Sequence, residues 1–414
     1  MRQPLQRIRR RLNQSVLAAR LRQLVRRLAG RDAAQAVSNP VSPPPAPPIC
    51  ESVKRWSAAH SDIECQTLLP AVSVNRPLPH TVEPALLDAY TAGQQQKLHE
   101  KYLVRLAGAS VAGPNGLVIL PDGAFAVESV YTLARLQQDP DYRAPDHRRT
   151  VWKPGNYFSL LAIWARYGGY YHWLHDSLQR LYGAVDVLPD DIRFIVWPDL
   201  RPWQRETLRL LGIRDDQLAF FDGAEVWRLE NLFFSPATTH SGHSRPEVEA
   251  WLRDRLMSAC GVKLGRAHRR IYITRRNIAK RRVENEDQVE ACLRAYGFQT
   301  SAPEQLSFQD QIAFFAEAEF VVAPHGSALA NILFAPPGLT VVDMVDSSMA
   351  KYAYVFWTLC GALGHQYWYL SAASVPREGH PPDTQVPIEK LEATLERIGL
   401  SRSRQPSRRH PYSQ

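Results

Sequence analysis

Two rhythms of apolar and polar residues run through the middle of the chain. Short apolar runs such as 192–197, 320–323 and 341–345 have the length and β-branched content of buried strands. Between such runs, apolar residues recur three and four apart, as in Val289, Cys292, Leu293 and Tyr296, which marks one face of a helix. Read in this way, the pattern predicts strands at 117–120, 192–197, 218–221, 271–274, 298–300, 320–323, 341–345 and 365–370. It predicts helices at 170–187, 203–211, 247–260, 286–296, 308–317, 329–334 and 352–363. Strands alternating with helices imply an α/β fold with doubly wound parallel sheets, arranged as two Rossmann-like halves across a cleft. Such sheets bind ligands at the carboxyl ends of their strands.

The pattern also divides the chain. Residues 1–37 are a basic amphipathic segment, with Leu5, Ile8, Leu12, Val16, Leu21, Leu24, Val25 and Leu28 at helical spacings among arginines. Residues 38–96 read as a Pro-rich linker followed by an irregular region, since Pro-rich sequence builds no core. Two Rossmann-like domains are expected at 97–245 and 246–400, and a basic tail without periodicity at 401–414.

Charge alters the picture only at the ends. The chain carries +9, with +10 from residues 1–31 and four more arginines in 401–414, so residues 32–400 hold −5. A mildly acidic body offers no nucleic-acid surface, and attraction to polyanions belongs to the ends. Residues 1–31 suit an anionic membrane surface; a packed or solvated helix and an Arg-rich organellar transit peptide fit the same pattern. Five widely spaced cysteines with no Cys-x-x-Cys pair support neither a disulfide framework nor a zinc ribbon. With no apolar run near the ~20 residues that span a bilayer, and no secretory pattern at the start, the expected location is cytoplasmic.

Three clusters carry candidate chemistry. In the first, the apolar run 320–323 meets Pro324, turns through His325-Gly326-Ser327 and restarts as a helix, with Asn331 four residues after Ser327. A strand–turn–helix of this kind leaves backbone N–H groups ready for an anion. It is equally the form of an ordinary βα connection. The second cluster, 272–286, sets Arg275 directly after a strand and Arg281 and Arg282 in the following loop, where planar guanidinium forks suit a diphosphate. Here Arg276 reads as a surface charge, and Asn285 with Gln288 as a helix capping box. The third cluster, 168–176, puts His172, His175 and Asp176 on one side of a helix. His172 or Asp176 could act as a general base, the three could ligate a metal, or the histidines could fill space among aromatics. No Gly-x-Ser-x-Gly, P-loop, Gly-x-Gly-x-x-Gly or His-Glu-x-x-His motif occurs.

Together the clusters resemble glycosyltransferase family 61, whose bacterial members are often described as capsular polysaccharide biosynthesis proteins. The matching pieces are Tyr170-Tyr171-His172-Trp173-Leu174 through Arg180-Leu181, then Tyr272-Ile273-Thr274-Arg275 with Arg281 and Asn285-Glu286, then His325 to Asn331 leading into Phe334-Ala335-Pro336-Pro337-Gly338. Residues 109–123, with their Gly-Pro-Asn-Gly and Pro-Asp-Gly turns, are similar to a weaker N-terminal strand region, and the likeness spans roughly residues 97–372. The chain departs from the usual His-Gly-Ala-Gly-Leu-x-Asn by having Ser327 and Ala328 after His-Gly.

The resemblance implies a GT-B type inverting transferase that moves a sugar from a nucleotide-sugar donor to a glycan or lipid-linked glycan hydroxyl, with no cofactor and no obligatory metal. It implies donor contacts at Arg275, Arg281, Asn285, Glu286, His325, Gly326, Ser327 and Asn331, and an acceptor side in 97–245. Asp176 becomes the preferred base and His172 a contact beside it. Two other functions remain in play: a metal-dependent phosphohydrolase using His172, His175 and Asp176, and a non-catalytic assembly partner with a degenerate transferase fold.

Overall fold

An apolar strand flanked by helices on both faces is stable only inside a parallel sheet, and the second half of the chain builds one. The computed structural model describes residues 47–402 except 61–62, 85, 144–148, 167–168 and 237–241. The basic segment, nearly all of the linker 38–48 and the tail from 403 lie outside the described residues. Residues from Pro47 onward form one compact unit.

In the second half the strands lie side by side in the order Gln299–Ser301, Arg269–Ile273, Ala318–Pro324, Thr340–Asp346 and Gln366–Arg377, all parallel. His380–Gln385 closes one edge antiparallel. Successive residues point to opposite faces. Ile271, Ile273, Val321, Ala323, Val341 and Val345 enter a large core, whereas Tyr272, Val322, Val342 and Met344 enter a smaller one beneath helices Glu286–Ala295 and Ile388–Arg397. The large core runs on without a break into the first half of the chain.

There the parallel strands are ordered Val226–Phe234, Thr150–Ser159, Arg193–Val196 and Leu218–Phe220. Antiparallel strands extend this sheet, among them Lys101–Ala107 and Ser110–Ala112 on Val226–Phe234. The expected strands and helices of both halves are present, with ends shifted by a residue or a few. The mixed α/β architecture is as the pattern implies.

Three expectations change. Residues 49–98 are not an irregular extension of the linker. The chain leaves the first sheet after Cys65–Leu69, crosses to the second sheet and comes back at Lys101–Ala107. The stem of this arm is the antiparallel pair Val72–Asn75 and Gln95–Leu98. Its tip adds His80–Thr81 as a parallel strand on Gln366–Arg377. Thr81 Oγ1 donates to the Tyr369 carbonyl at 2.9 Å, Trp357 Nε1 donates to the Pro77 carbonyl at 2.9 Å, and Glu83 pairs with Lys390 at 2.9 Å.

The helix expected at 170–187 is also not one regular rod. It changes winding from an α turn at Tyr170–His172 to a π turn at Trp173–Ser177 and a 3₁₀ turn at Leu178–Leu181. The segment after His325 is 3₁₀-wound and already begins at Ser327, running to Phe334. Among the described residues, no helix is long and apolar enough to cross a membrane.

One buried charge has a consequence for stability. Lys101 is fully buried, with Nζ donating to Ser235 Oγ at 3.0 Å, and lies near Arg180 and Arg245. Burial, and then those two arginines, push its ammonium down to about 7, whereas an unfolded lysine titrates near about 10.4. Between these limits the unfolded chain binds more protons than the folded one, so the lysine's burial penalty is relieved as pH rises. Urea unfolding at pH 7 to 10 should show the wild type gaining stability relative to Lys101→Met. Parallel pH curves for the two proteins would contradict this account.

Candidate active site

Where neighbouring parallel strands send their following segments to opposite faces, a crevice opens at their carboxyl ends. In the second sheet this occurs between Arg269–Ile273 and Ala318–Pro324. Arg275 follows the first of these strands by two residues, and His325 follows the second directly. In the first sheet Thr150–Ser159 and Val226–Phe234 are neighbouring parallel strands. Trp164, Tyr171 and His172 come after the first of these, and His243 after the second. Residues from all four segments line one cavity of about 680 Å³, within the ~300–1,000 Å³ typical of ligand sites.

The wall holds Arg135, Arg281 and Lys351, three imidazoles (His172, His243, His325) and several aromatic rings; among the described lining residues none is a carboxylate. Such a surface attracts anions. Rings in contact run along it in sequence. The Arg135 guanidinium lies 4.9 Å over Trp164, Trp164 is 5.3 Å from His172, and His172 is 5.5 Å from Tyr171. Tyr171 then meets Phe356 at 5.6 Å, and Phe356 meets His325 at 5.0 Å. His172 thus stands between an aromatic end and the His325 turn.

Each of these two histidines is held from behind. His172 Nδ1 is 2.7 Å from Asp176 Oδ2, and His325 Nδ1 is 2.8 Å from Asp343 Oδ2. Both carboxylates are buried, at 3% and 0% exposure, so the imidazoles and not the acids meet the cavity. Asp176, the base preferred from the sequence, therefore lies behind His172 and not on the cavity wall. The backbone around the pair is tight: a Cβ at Gly169 would lie 2.4 Å from the Trp164 carbonyl oxygen.

Arg275 and Arg281 form a second unit. Arg275 Nε donates to the Arg281 carbonyl at 2.7 Å and Nη2 to the Lys280 carbonyl at 2.9 Å, fixing the loop that carries Arg281. Arg281 lines the cavity with Gly326 and Ser327, while Arg275 is buried behind them. A Cβ on Gly326 would come within 2.4 Å of Arg275 Nη1, so the glycine is needed for close approach. Burial, and then Arg281, pull the Arg275 guanidinium below the usual arginine range; burial does the same to Arg281. Two crowded, desolvated cations favour a bound anion.

Other predicted site residues face inward. Glu286 Oε1 accepts from the Tyr272 hydroxyl (3.0 Å), Thr274 Oγ1 (2.6 Å) and the Arg275 amide (3.0 Å), which joins the strand end to the helix start. Asn285 makes no side-chain cap on its helix, contrary to the capping-box expectation. Its amide instead grips Val386, donating to the carbonyl at 2.8 Å and accepting from the N–H at 3.0 Å. Asn331 is fully buried, accepting from the Tyr170 hydroxyl at 2.7 Å and donating to Gln311 at 3.0 Å. Arg276 is a surface charge as expected, paired with Asp287 and Glu290.

His175 leaves the proposed trio. The π turn swings it away from His172, and its Nδ1 lies 3.0 Å from the buried Glu249. Among the described residues, no group of three or more His, Cys, Asp or Glu converges as a metal site.

The sequence reading missed Tyr131, Trp164, Arg135 and Lys351. Backbone strain marks the site independently. Among the described residues, only Tyr131 (φ 75°) and Arg281 (φ 53°) are non-glycine residues with left-handed backbone, and both line this cavity. Strain of this kind persists where the surroundings enforce it, often at functional sites.

Residues 170–342 match the family model described as Glycosyltransferase 61, which bears out the resemblance carried by the three motif clusters. No curated protein matches the chain. The matched stretch holds His172, Arg275, Arg281 and His325, and stops one residue before Asp343.

Gly326→Ala should force Arg275 off at least one of its carbonyl partners. A hydrogen bond from a charged group is worth about 1.5–3 kcal/mol, so urea unfolding should show a loss of that order. An unchanged midpoint would mean that the arginine relaxes without cost.

Proposed function

Taking residues 170–342 as a glycosyltransferase family 61 region, we propose that the chain is an inverting, GT-B type hexosyl- or pentosyltransferase. It moves a sugar from a nucleotide-sugar donor to a hydroxyl of a glycan or lipid-linked glycan in capsular, exopolysaccharide or lipopolysaccharide assembly. The observation that carries this reading is a single cavity lined by segments that follow parallel strands of both sheets, with cations gathered at one and a carboxylate-held imidazole at the other.

In this reading the donor diphosphate lies against Arg281 and the first amides of the helix Ser327–Phe334. These groups receive the negative charge that grows on the leaving oxygen. Arg275 supports them from beneath by fixing the loop and backing Gly326. The acceptor lies toward Trp164. His172 takes the proton of its hydroxyl as the new oxygen–carbon bond forms at the anomeric carbon and the bond to the diphosphate breaks. Asp176 orients the ring and stabilises the imidazolium that results. Attack from the face opposite the diphosphate gives inversion.

The protein works in the cytoplasm, at the inner face of the membrane, to which residues 1–31 would be drawn by their ten arginines. The phosphohydrolase alternative finds no support, because the His175 that it requires is turned onto Glu249.

A thermal-shift screen with UDP, GDP, CDP and dTDP should reveal stabilisation by at least one nucleotide, since a ligand bound only by the folded state raises apparent stability. Arg281→Ala should abolish that shift. His172→Ala should keep the shift and lower sugar transfer by about 10²–10⁴-fold, the usual worth of a general base. Silence from every nucleotide with the wild type, or full transfer by His172→Ala, would refute the reading.

A further inference from the structure

Behind His325 lies a buried polar chain that ends far from it in sequence, on a helix whose Ala89, Ala92 and Gly93 line the same cavity. Asp343 sits in the middle of the strand Thr340–Asp346, wholly buried between Val342 and Met344. Its Oδ2 lies 2.8 Å from His325 Nδ1 and accepts from the Tyr367 hydroxyl (2.8 Å). The Tyr367 oxygen in turn lies 3.0 Å from the Tyr90 hydroxyl, which belongs to the arm helix Asp88–Gly93. Each tyrosine has one proton to give. Tyr367 gives its proton to the carboxylate, which is nearer and more strongly accepting than the Ala353 carbonyl at 3.4 Å. Tyr90 is then left to donate to Tyr367. Burial, and then Asp343's charge, hold both hydroxyls far above the ordinary tyrosine range, so they stay protonated.

The arrangement is costly. Asp343 Oδ1 has no hydrogen-bond partner among the described residues, and a buried carboxylate left half-satisfied needs a reason to persist. Core packing alone would be served by an aliphatic residue at this position.

We infer that Asp343, with Tyr367 and Tyr90 behind it, is a positioning residue that holds His325 as the Nδ1–H tautomer, so that Nε2 is offered to the cavity as an acceptor for a substrate hydroxyl. The neutral ring has one donor and one acceptor, and committing Nδ1–H to a carboxylate fixes which nitrogen is which. An Nε2 lone pair repels a phosphate oxygen and suits a sugar hydroxyl. The His325 side chain therefore reads the sugar, while Arg281 and the Ser327 end of the turn take the diphosphate. This division of labour rests on the glycosyltransferase reading; the tautomer assignment does not. None of Asp343, Tyr367 and Tyr90 falls within the stretch that matches the family model.

The test uses the full chain labelled with ¹⁵N-histidine, with His325→Gln to assign the signal. Long-range ¹H–¹⁵N spectra at neutral pH should show His325 as Nδ1–H in the wild type and shifted toward Nε2–H in Asp343→Asn. Transfer by that variant, across a panel of nucleotide sugars, should fall by about 10- to 100-fold, the scale seen when the acid behind a metal-bound histidine is removed. Its thermal shift with UDP, GDP, CDP and dTDP should match the wild type. Tyr367→Phe, which removes one hydroxyl and keeps the ring, should reproduce the direction of each change and covers the case in which Asp343→Asn fails to fold. An Nε2–H ring in the wild type overturns the inference, as does loss of nucleotide binding in step with transfer, which would make His325 a phosphate contact. If no nucleotide stabilises the wild type, the transferase reading falls, and the tautomer alone decides this one.

Discussion

The side-chain amide of Asn331 spans the two halves of the chain. It is fully buried, accepts from Tyr170 at the start of the helix of the first half, and donates to Gln311 and the Ala328 carbonyl in the second. A buried amide is stable only when its donors and acceptor are all matched, so these helices have very little freedom to slide. Two residues after Tyr170 comes His172; six residues before Asn331 stands His325. The separation of these two cavity imidazoles is thereby set by a contact that does not itself touch the cavity. The continuous apolar core beneath supplies cohesion, while the amide supplies register.

Strain and desolvation are concentrated around the same cavity. Two crowded arginines, a half-satisfied carboxylate and two left-handed non-glycine residues all lie on or directly behind its wall. Each is unfavourable by itself. The surrounding scaffold has the means to hold them: the loop bearing Arg281 is tied on one side by Arg275, and on the other by Arg282, whose amide donates to buried Asp383 at 2.8 Å. Preorganised charge of this kind is more effective in a desolvated site than in water.

Polar residues beside apolar strands were visible in the sequence, but their direction was not. His172, Arg281, His325, Gly326 and Ser327 line the cavity. Asp176, Arg275, Asn285, Glu286 and Asn331 come from the same motifs and support it from behind. Motif spacing identifies the neighbourhood of a site; which atoms face the ligand depends on winding and on partners distant in sequence. The π turn that displaces His175 has no signature in the pattern. The strand Thr150–Ser159 escaped because Pro154-Gly155 breaks its alternation where its register slips between Lys153 and Asn156. Without that strand the segment that follows it was hidden, and Trp164 with it. Asp343 offered a plainer clue: a lone acid in the apolar run 341–345 marks a group with buried work to do.

The arm at 72–98 links the order of synthesis to the order of folding. Thr81 bonds to a carbonyl 288 residues further along the chain. At the ~5–20 residues per second at which chains are made, that partner emerges roughly 15–60 seconds later. Until then the tip of the arm has no sheet to join, and Tyr90 has no Tyr367 to meet. The first half can be shaped on the ribosome, but the polar chain behind His325 closes only once Tyr367 has been translated. A nascent or truncated chain therefore holds an unfinished cavity wall, and the support behind His325 is born last.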